Sequence, residues 1–264
     1  MPHNSDQAQP YIIVSDLDGT LLDHHDYSWQ DAKPALAEAK KREIPVVPCT
    51  SKTFAETQRL INDIGLDGPI ICENGSGIFM PQGNTIDLAP RYPLVIEKLN
   101  LLKRDSRFQF WGFSDMSVHE VARQTGLPLA SAANAKARRY SEPFLWQGKV
   151  SALRAFEQMA NKLNIEIVKG GRFYHALTLG VSKQRAIVHL LKILGMPNAH
   201  VIALGDSNND VSMLSQADTA VVVNNPTKDF PAIPSDHQNI HYTSAYGPAG
   251  WNSAIMTILE NKNG

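Results

Sequence analysis

Only two cysteines occur in the 264 residues, Cys49 and Cys72, and neither belongs to a Cys-x-x-Cys pair. This excludes a disulfide scaffold and a thiolate zinc site, and it fits a reducing compartment. The histidines, including the adjacent His24 and His25, show no metal-ligand spacing. An excess of charge of either sign is also missing: 25 basic and 26 acidic residues leave a formal net charge of -1, which gives no broad footprint for nucleic acid. The nearest thing to a basic run is KARR at Lys136–Arg139, readable as a solvated surface or a local anion pocket. Nowhere do about 18 apolar residues run together, and the opening MPHNSDQAQP has no apolar signal core, so a soluble, cytoplasmic protein with no membrane partner is expected. Internal repeats, heptads and low-complexity tracts are lacking too.

What is present is a globular composition, 43% hydrophobic and 19% charged, in a chain comfortable for two domains. Apolar runs of strand length fall at Tyr11–Ser15, Ile44–Cys49, Pro69–Cys72, Val201–Leu204 and Thr219–Val223. Continuous runs of this kind suit strands buried on both faces of a parallel sheet. Helical patterns lie between them, over 31–42, 54–64, 183–194 and 209–216; Ser182 is placed to cap the start of the third and Gly195 its end. The alternation predicts an α/β fold, a doubly wound, Rossmann-like parallel sheet.

About a hundred residues separate the third strand from the Ser182 helix, too many for a loop in a compact domain. They are expected to fold as an inserted α+β cap domain over 85–176, between core segments 1–84 and 177–264.

In an open α/β sheet the ligand crevice lies beyond the carboxyl ends of the strands. The first strand is followed by Asp16, Asp18 and Thr20, the second by Thr50, Ser51, Lys52 and Thr53, and the third by Glu73, Asn74 and Gly75. The fourth leads into Gly205-Asp206-Ser207-Asn208-Asn209-Asp210 and the fifth into Asn224 and Asn225, while Lys183 opens a helix. Asp16 and Asp18 stand two apart and so share a side as the strand ends; two such charges repel unless a cation lies between them or one keeps a proton. Alone, the pair also reads as a strand running into an Asp-Gly turn. Hard carboxylate oxygens suit Mg²⁺, helix-start hydroxyls and amides suit phosphate oxygens, and a lysine can balance the remaining charge. Together these parts point to metal-assisted phosphoryl transfer.

DLDGT at Asp16–Thr20 and GDSNND at Gly205–Asp210, with Thr50 or Ser51 and Lys183 in order between them, resemble the four motifs of the haloacid dehalogenase superfamily. The stretches TSKT (50–53), ICENGSGIF (71–79), RRYSEPF (138–144), KGGRFYH (169–175) and GPAGWN (247–252) resemble the mannosyl-3-phosphoglycerate phosphatase family. The resemblance implies a Mg²⁺-dependent hydrolysis through an aspartyl-phosphate. In it Asp16 is the nucleophile and Asp18 the acid and base. Asp16, the Asp18 backbone carbonyl and Asp206 hold the metal, supported by Asp210 or Asn209. Thr50 or Ser51 and Lys183 hold the phosphate. Substrate contacts are expected from Lys52, Glu73 and Asn74, from Arg139 and Arg172 toward a carboxylate, and from Glu142 toward hydroxyls. The implied partner is a small phosphorylated sugar. A phosphatase for another phosphosugar, a phosphosugar mutase and a non-catalytic phosphosugar-binding regulator are the alternatives.

Overall fold

The structure, a computed structural model, describes residues 9–234 and 237–261. Its central sheet is parallel throughout, in the order β12-β11-β10-β1-β2, with β1 (Tyr11–Ser15), β2 (Val46–Pro48), β10 (His200–Gly205), β11 (Thr219–Asn224) and β12 (Ile240–Tyr246). Alternation along these strands divides the core in two. Ile12, Val14, Val47, Ala203 and Val222 pack on one face against α7 (Lys183–Ile193) and α8 (Val211–Leu214). Ile13, Val46, Ile202, Leu204 and Val221 pack on the other against α1 (Lys33–Lys41) and α9 (Gly247–Glu260). Burial on both faces explains why the strands read as unbroken apolar runs.

The expected third core strand, β3 (Ile70–Cys72), meets β2 only through the bridge Cys49–Ile71. Its ladder runs antiparallel to β4 (Gly77–Phe79), which pairs in turn with β5 (Thr85–Asp87). Between β3 and β4, Glu73, Asn74 and Gly75 all take positive φ. A β-carbon on Gly75 would stand 2.2 Å from the Ser182 carbonyl oxygen, so this left-handed turn seats directly on the start of α7. Helix α2 (Phe54–Ile64) begins in a capping box made by Thr53 and Glu56 and ends at left-handed Gly65.

A second, antiparallel sheet has the order β6-β7-β9-β8: β6 (Phe110–Gly112), β7 (Glu142–Trp146), β8 (Ile165–Lys169) and β9 (Tyr174–Thr178). One face, carrying Phe110, Phe144, Tyr174 and Ala176, is covered by α3 (Tyr92–Leu102) and α6 (Val150–Lys162). The region of α4 (Val118–Thr125) and α5 (Leu129–Lys136) forms a cluster of its own around Phe113, Val121 and Ala132, joined by Trp111 and Leu145. Thr85 lies inside β5 and Ala176 in the middle of β9. Among the described residues no helix is long and apolar enough to cross a membrane.

Candidate active site

The parallel register brings the strand ends level. Ser15 pairs with Leu204 and Pro48, and Gly205 pairs with Val222, so the residues that follow these strands converge on one spot. Asp16 is fixed there through its backbone: its N–H donates to the Leu204 carbonyl, and its own carbonyl accepts from the Ser15 hydroxyl. The Ser15 oxygen accepts from the indole N–H of fully buried Trp251, which gives the GPAGWN stretch a structural reason.

The side chains form a buried ionic cluster. Lys183 Nζ donates to Asp16 Oδ1 and to Asp210 Oδ1, 2.6 Å each. The other Asp210 oxygen accepts from the N–H groups of Asp206 and Ser207, both at 3.1 Å, and so closes the turn before α8. Asp210 is therefore both a helix-start acid and the partner of Lys183. Gly205 permits this, since a β-carbon there would lie 2.5 Å from that of Asp210. Asp206 Oδ2 accepts from Asn225 Nδ2 at 2.6 Å and from Lys228 Nζ at 2.7 Å, whereas Asp206 Oδ1 is buried with no partner. Gly19, at φ +80°, brings the loop after β1 against this pair: a β-carbon would stand 2.5 Å from Asn225 Nδ2.

Oxygens of Asp16, Asp206 and Asp210 lie within 4.8 Å of one another. Burial first, then the charges of Asp210 and Asp206, push the Asp16 carboxyl up to about 8, against the pull of Lys183. Burial works against the charge of Lys183, but Asp16 and Asp210 hold it above the ordinary lysine range. Three buried carboxylates meet two lysines, Lys183 and the half-buried Lys228, and Asp206 Oδ1 is left without a partner. This donor set fits a hard divalent cation such as Mg²⁺.

Asp18 sits at the mouth, with Oδ2 paired to Lys52 Nζ at 2.9 Å and Oδ1 buried without a partner. Lys52 also lies 5.1 Å from the centre of the Tyr27 ring. Thr50 is buried, and its hydroxyl accepts from the Lys52 N–H while its carbonyl accepts from the Asn74 N–H. Asn74 is buried with Nδ2 unpartnered. Thus Asp16, Asp18, Thr50, Lys52, Asn74, Lys183, Asp206 and Asp210 gather at one crevice.

The side chains of Glu73, Arg139, Glu142 and Arg172 have other partners in this structure. The Glu73 carboxylate accepts from the N–H groups of Arg139, Tyr140 and Ser141 and from the Ser141 hydroxyl, so it anchors the chain entering β7 rather than waiting for a ligand. Ser51 offers its carbonyl to Arg138. Glu142 turns toward α3: Tyr92 donates to Oε2 at 2.6 Å and Ser114 donates twice to Oε1. Strand alternation is the cause, because Glu142 shares a face with Phe144. Arg139 is exposed, with its guanidinium 5.1 Å from the Phe79 ring centre in a cavity beside α2. Arg172 is exposed and donates to the Gln124 carbonyl at the end of α4.

The KARR run is not a solvated surface throughout. Lys136 donates to the carbonyls of Phe113 and Met116, and Arg138 is buried against Ser51, Ser141 and Glu73. The sequence alone assigns no role to Arg138, Asn225 or Lys228. The position of Asn225 just beyond the fifth strand was the one available signal; nothing in the sequence distinguishes buried Arg138 from exposed Arg139.

A family profile described as haloacid dehalogenase-like hydrolase matches residues 13–119 and 146–233, well over half of the chain. A protein of Persephonella marina named glucosyl-3-phosphoglycerate/mannosyl-3-phosphoglycerate phosphatase is 35% identical over 94% of this chain and 97% of its own. One of the same name from Methanococcoides burtonii is 34% identical over 96% and 98%. Among solved structures, a Thermoplasma acidophilum protein superposes with a TM-score of 0.72 at 16% identity, covering 95% of this chain and 99% of that one. The sucrose-phosphatase of Synechocystis, solved with sucrose and phosphate, superposes with 0.64 at 16% identity, covering 94% and 98%. At these identities the structures speak for the fold.

Proposed function

We propose, from the premise that this chain belongs to the haloacid dehalogenase-like hydrolases, that it is a cytoplasmic Mg²⁺-dependent phosphatase hydrolysing mannosyl-3-phosphoglycerate, with glucosyl-3-phosphoglycerate as a second substrate. The observation that carries the chemistry is the buried Asp16–Lys183–Asp210 cluster beside Asp206. The substrate comes from the names of two relatives similar over nearly the whole chain.

Asp16 and Asp206 Oδ1 would hold the cation, with the Asp18 carbonyl completing the protein's share. Both Asp210 oxygens already have partners, so Asp210 supports from behind. Bound there, Mg²⁺ supplies positive charge against the phosphate and lowers the proton affinity of Asp16. An Asp16 oxygen attacks phosphorus, the bond to the sugar-glycerate oxygen breaks, and an aspartyl-phosphate forms. Asp18 delivers a proton from Oδ1 to the departing oxygen and then takes one from the water that attacks phosphorus; the bond between phosphorus and the Asp16 oxygen breaks, and phosphate leaves with the Asp16 carboxylate restored. Lys183 and the Thr50 hydroxyl hold the transferring oxygens. Lys52 keeps Asp18 in place and adds positive charge at the mouth.

The four-stranded sheet with α3 to α6 would act as a cap, with the chain crossing near 88–91 and 179–182 rather than at 85 and 176. It would cover the crevice and exclude water during transfer. The test is phosphate release from a panel of phosphorylated sugars with Mg²⁺, with the glycosyl-3-phosphoglycerates expected to have the highest kcat/KM. Release without isomerised sugar phosphate separates hydrolysis from mutase chemistry. A preference for simple hexose phosphates would overturn the substrate assignment.

A further inference from the structure

His175 lies in the middle of β9, between Tyr174 and Ala176, which both pack toward α3 and α6. Side chains alternate along a strand, so His175 stands on the opposite face of the sheet. β8, the strand paired with β9, packs against the Asn208–Asp210 turn that carries Asp210, which brings this sheet to the crevice, and the charges of Arg138 and Lys183 bear on the His175 ring. The ring keeps a partly exposed edge, yet Nδ1 is closed off from solvent and has no hydrogen-bond partner. The loop of the KGGRFYH stretch passes close to the ring: a β-carbon on Gly170 would stand 3.0 Å from His175 Nε2, so a larger residue there would crowd it.

A buried polar atom without a partner is costly, and native structures keep one chiefly where a ligand or water completes it. The chemistry of this atom narrows the ligand. Burial, with the charges of Arg138 and Lys183, lowers the imidazole to about 3, so the ring is neutral throughout the physiological range. A neutral imidazole beside two cations is a poor counter-ion for a carboxylate or phosphate. It is a good partner for a hydroxyl, which can give or take the hydrogen bond.

We propose that His175 is a specificity-determining residue whose Nδ1 hydrogen-bonds a hydroxyl of the polyhydroxylated leaving alcohol, so that the inner face of the cap sheet selects for the sugar part of the substrate. This rests on the phosphatase reading above and deepens it. Arg139 and Arg172, the cations first expected to choose the substrate, bond elsewhere; the polar group left without a partner at the cap's inner face is uncharged.

The experiment compares kcat/KM of wild type, His175→Ala and His175→Asn on mannosyl-3-phosphoglycerate and on p-nitrophenyl phosphate, whose leaving group carries no further hydroxyl. Thermal midpoints confirm that each variant folds. His175→Ala is expected to lose about 10- to 100-fold on the sugar substrate, the range for one buried hydrogen bond left unmade, and less than about threefold on the aryl phosphate. His175→Asn, whose amide reaches the position of Nδ1, is expected to recover most of the loss. Equal losses on both substrates, no loss, or an asparagine variant no better than alanine would overturn the proposal and leave Nδ1 to a structural water. If the wild type instead hydrolyses another phosphosugar, the substrate assignment fails and the same three-way comparison on that sugar decides His175. If it hydrolyses none, the phosphatase reading fails. Calorimetric binding of mannosyl-3-phosphoglycerate in chelator then decides: weaker binding by the alanine variant, restored by asparagine, supports the role, and unchanged or absent binding overturns it.

Discussion

Asp16, Lys183 and Asp210 spend their charges on one another at the end of the parallel sheet, buried and 2.6 Å apart. In the antiparallel sheet and its helices, ion pairs such as Lys103–Asp115 stay partly exposed, buried Glu142 is satisfied by Tyr92 and Ser114, and Arg172 reaches the end of a helix from the surface. A buried cluster with more acid than base is costly without a ligand to balance it. The cap has no such excess. Its unfinished group is an uncharged imidazole nitrogen. On the proposed reading, the difference teaches that the two halves of the crevice would recognise different things, charge and phosphorus below, hydroxyls above.

The sharpest way to break this contrast is to remove the cation of the cluster. Lys183→Met leaves Asp16 and Asp210 uncompensated, and the expected loss of stability in chelator is about 3–5 kcal/mol by urea unfolding, with loss of phosphate release. A change under about 1 kcal/mol would mean that the cluster is not under electrostatic stress.

Metal removal probes the same stress without mutation. In the metal-free protein the Asp16 carboxyl is raised to about 8 from an ordinary 3.8. Between those values the folded state holds a proton that the unfolded chain has released, so stability falls as pH rises through the interval and levels off above it. Thermal unfolding in chelator is expected to show that downward slope from pH 5 to 8, on the order of 2 kcal/mol, and saturating Mg²⁺ is expected to flatten it. Parallel curves with and without Mg²⁺ would argue against the cluster as the metal site.

Glu73 tests the joint between the halves. Its carboxylate takes four hydrogen bonds from the 139–141 segment, and it stands in the left-handed turn that seats on Ser182. Glu73→Gln replaces an acceptor with a donor facing N–H groups, and a loss of about 1–3 kcal/mol is expected in thermal unfolding. The smallest effect is expected at Arg172→Ala, within about twofold in kcat/KM on both sugar and aryl substrates, because an exposed arginine bonded to a helix end contributes little. A loss confined to the glycerate-bearing substrate would return the carboxylate contact to this loop.

The core and its acids were legible because buried parallel strands leave unbroken apolar runs, and the functional residues must follow where those runs stop. Tyr11–Ser15 and Phe54–Ile64 fall where the sequence places them, as does the cap of α7 at Ser182. The strand β12 is not legible: its burial is mixed, with exposed His241, Tyr242, Ser244 and Tyr246 around buried Thr243, so it carries no apolar run. The partners that Glu142 and Arg139 take in the structure are not legible for a related reason. Residue type suggests what a side chain can bind, but only strand phase decides which face it takes, and a single step along the chain separates buried Arg138 from exposed Arg139 and outward Glu142 from Pro143 on the inner face.

The central claim is that Asp16 is the atom donor to phosphorus. Its most direct test is rapid acid quench of the Asp18→Asn variant during turnover of mannosyl-3-phosphoglycerate, followed by peptide mass spectrometry. With water activation slowed, a phosphoryl group is expected on the peptide carrying Asp16 and on no other, and Asp16→Asn should abolish both the label and phosphate release. Steady phosphate release with no label on Asp16, or a label on another residue, would contradict the account.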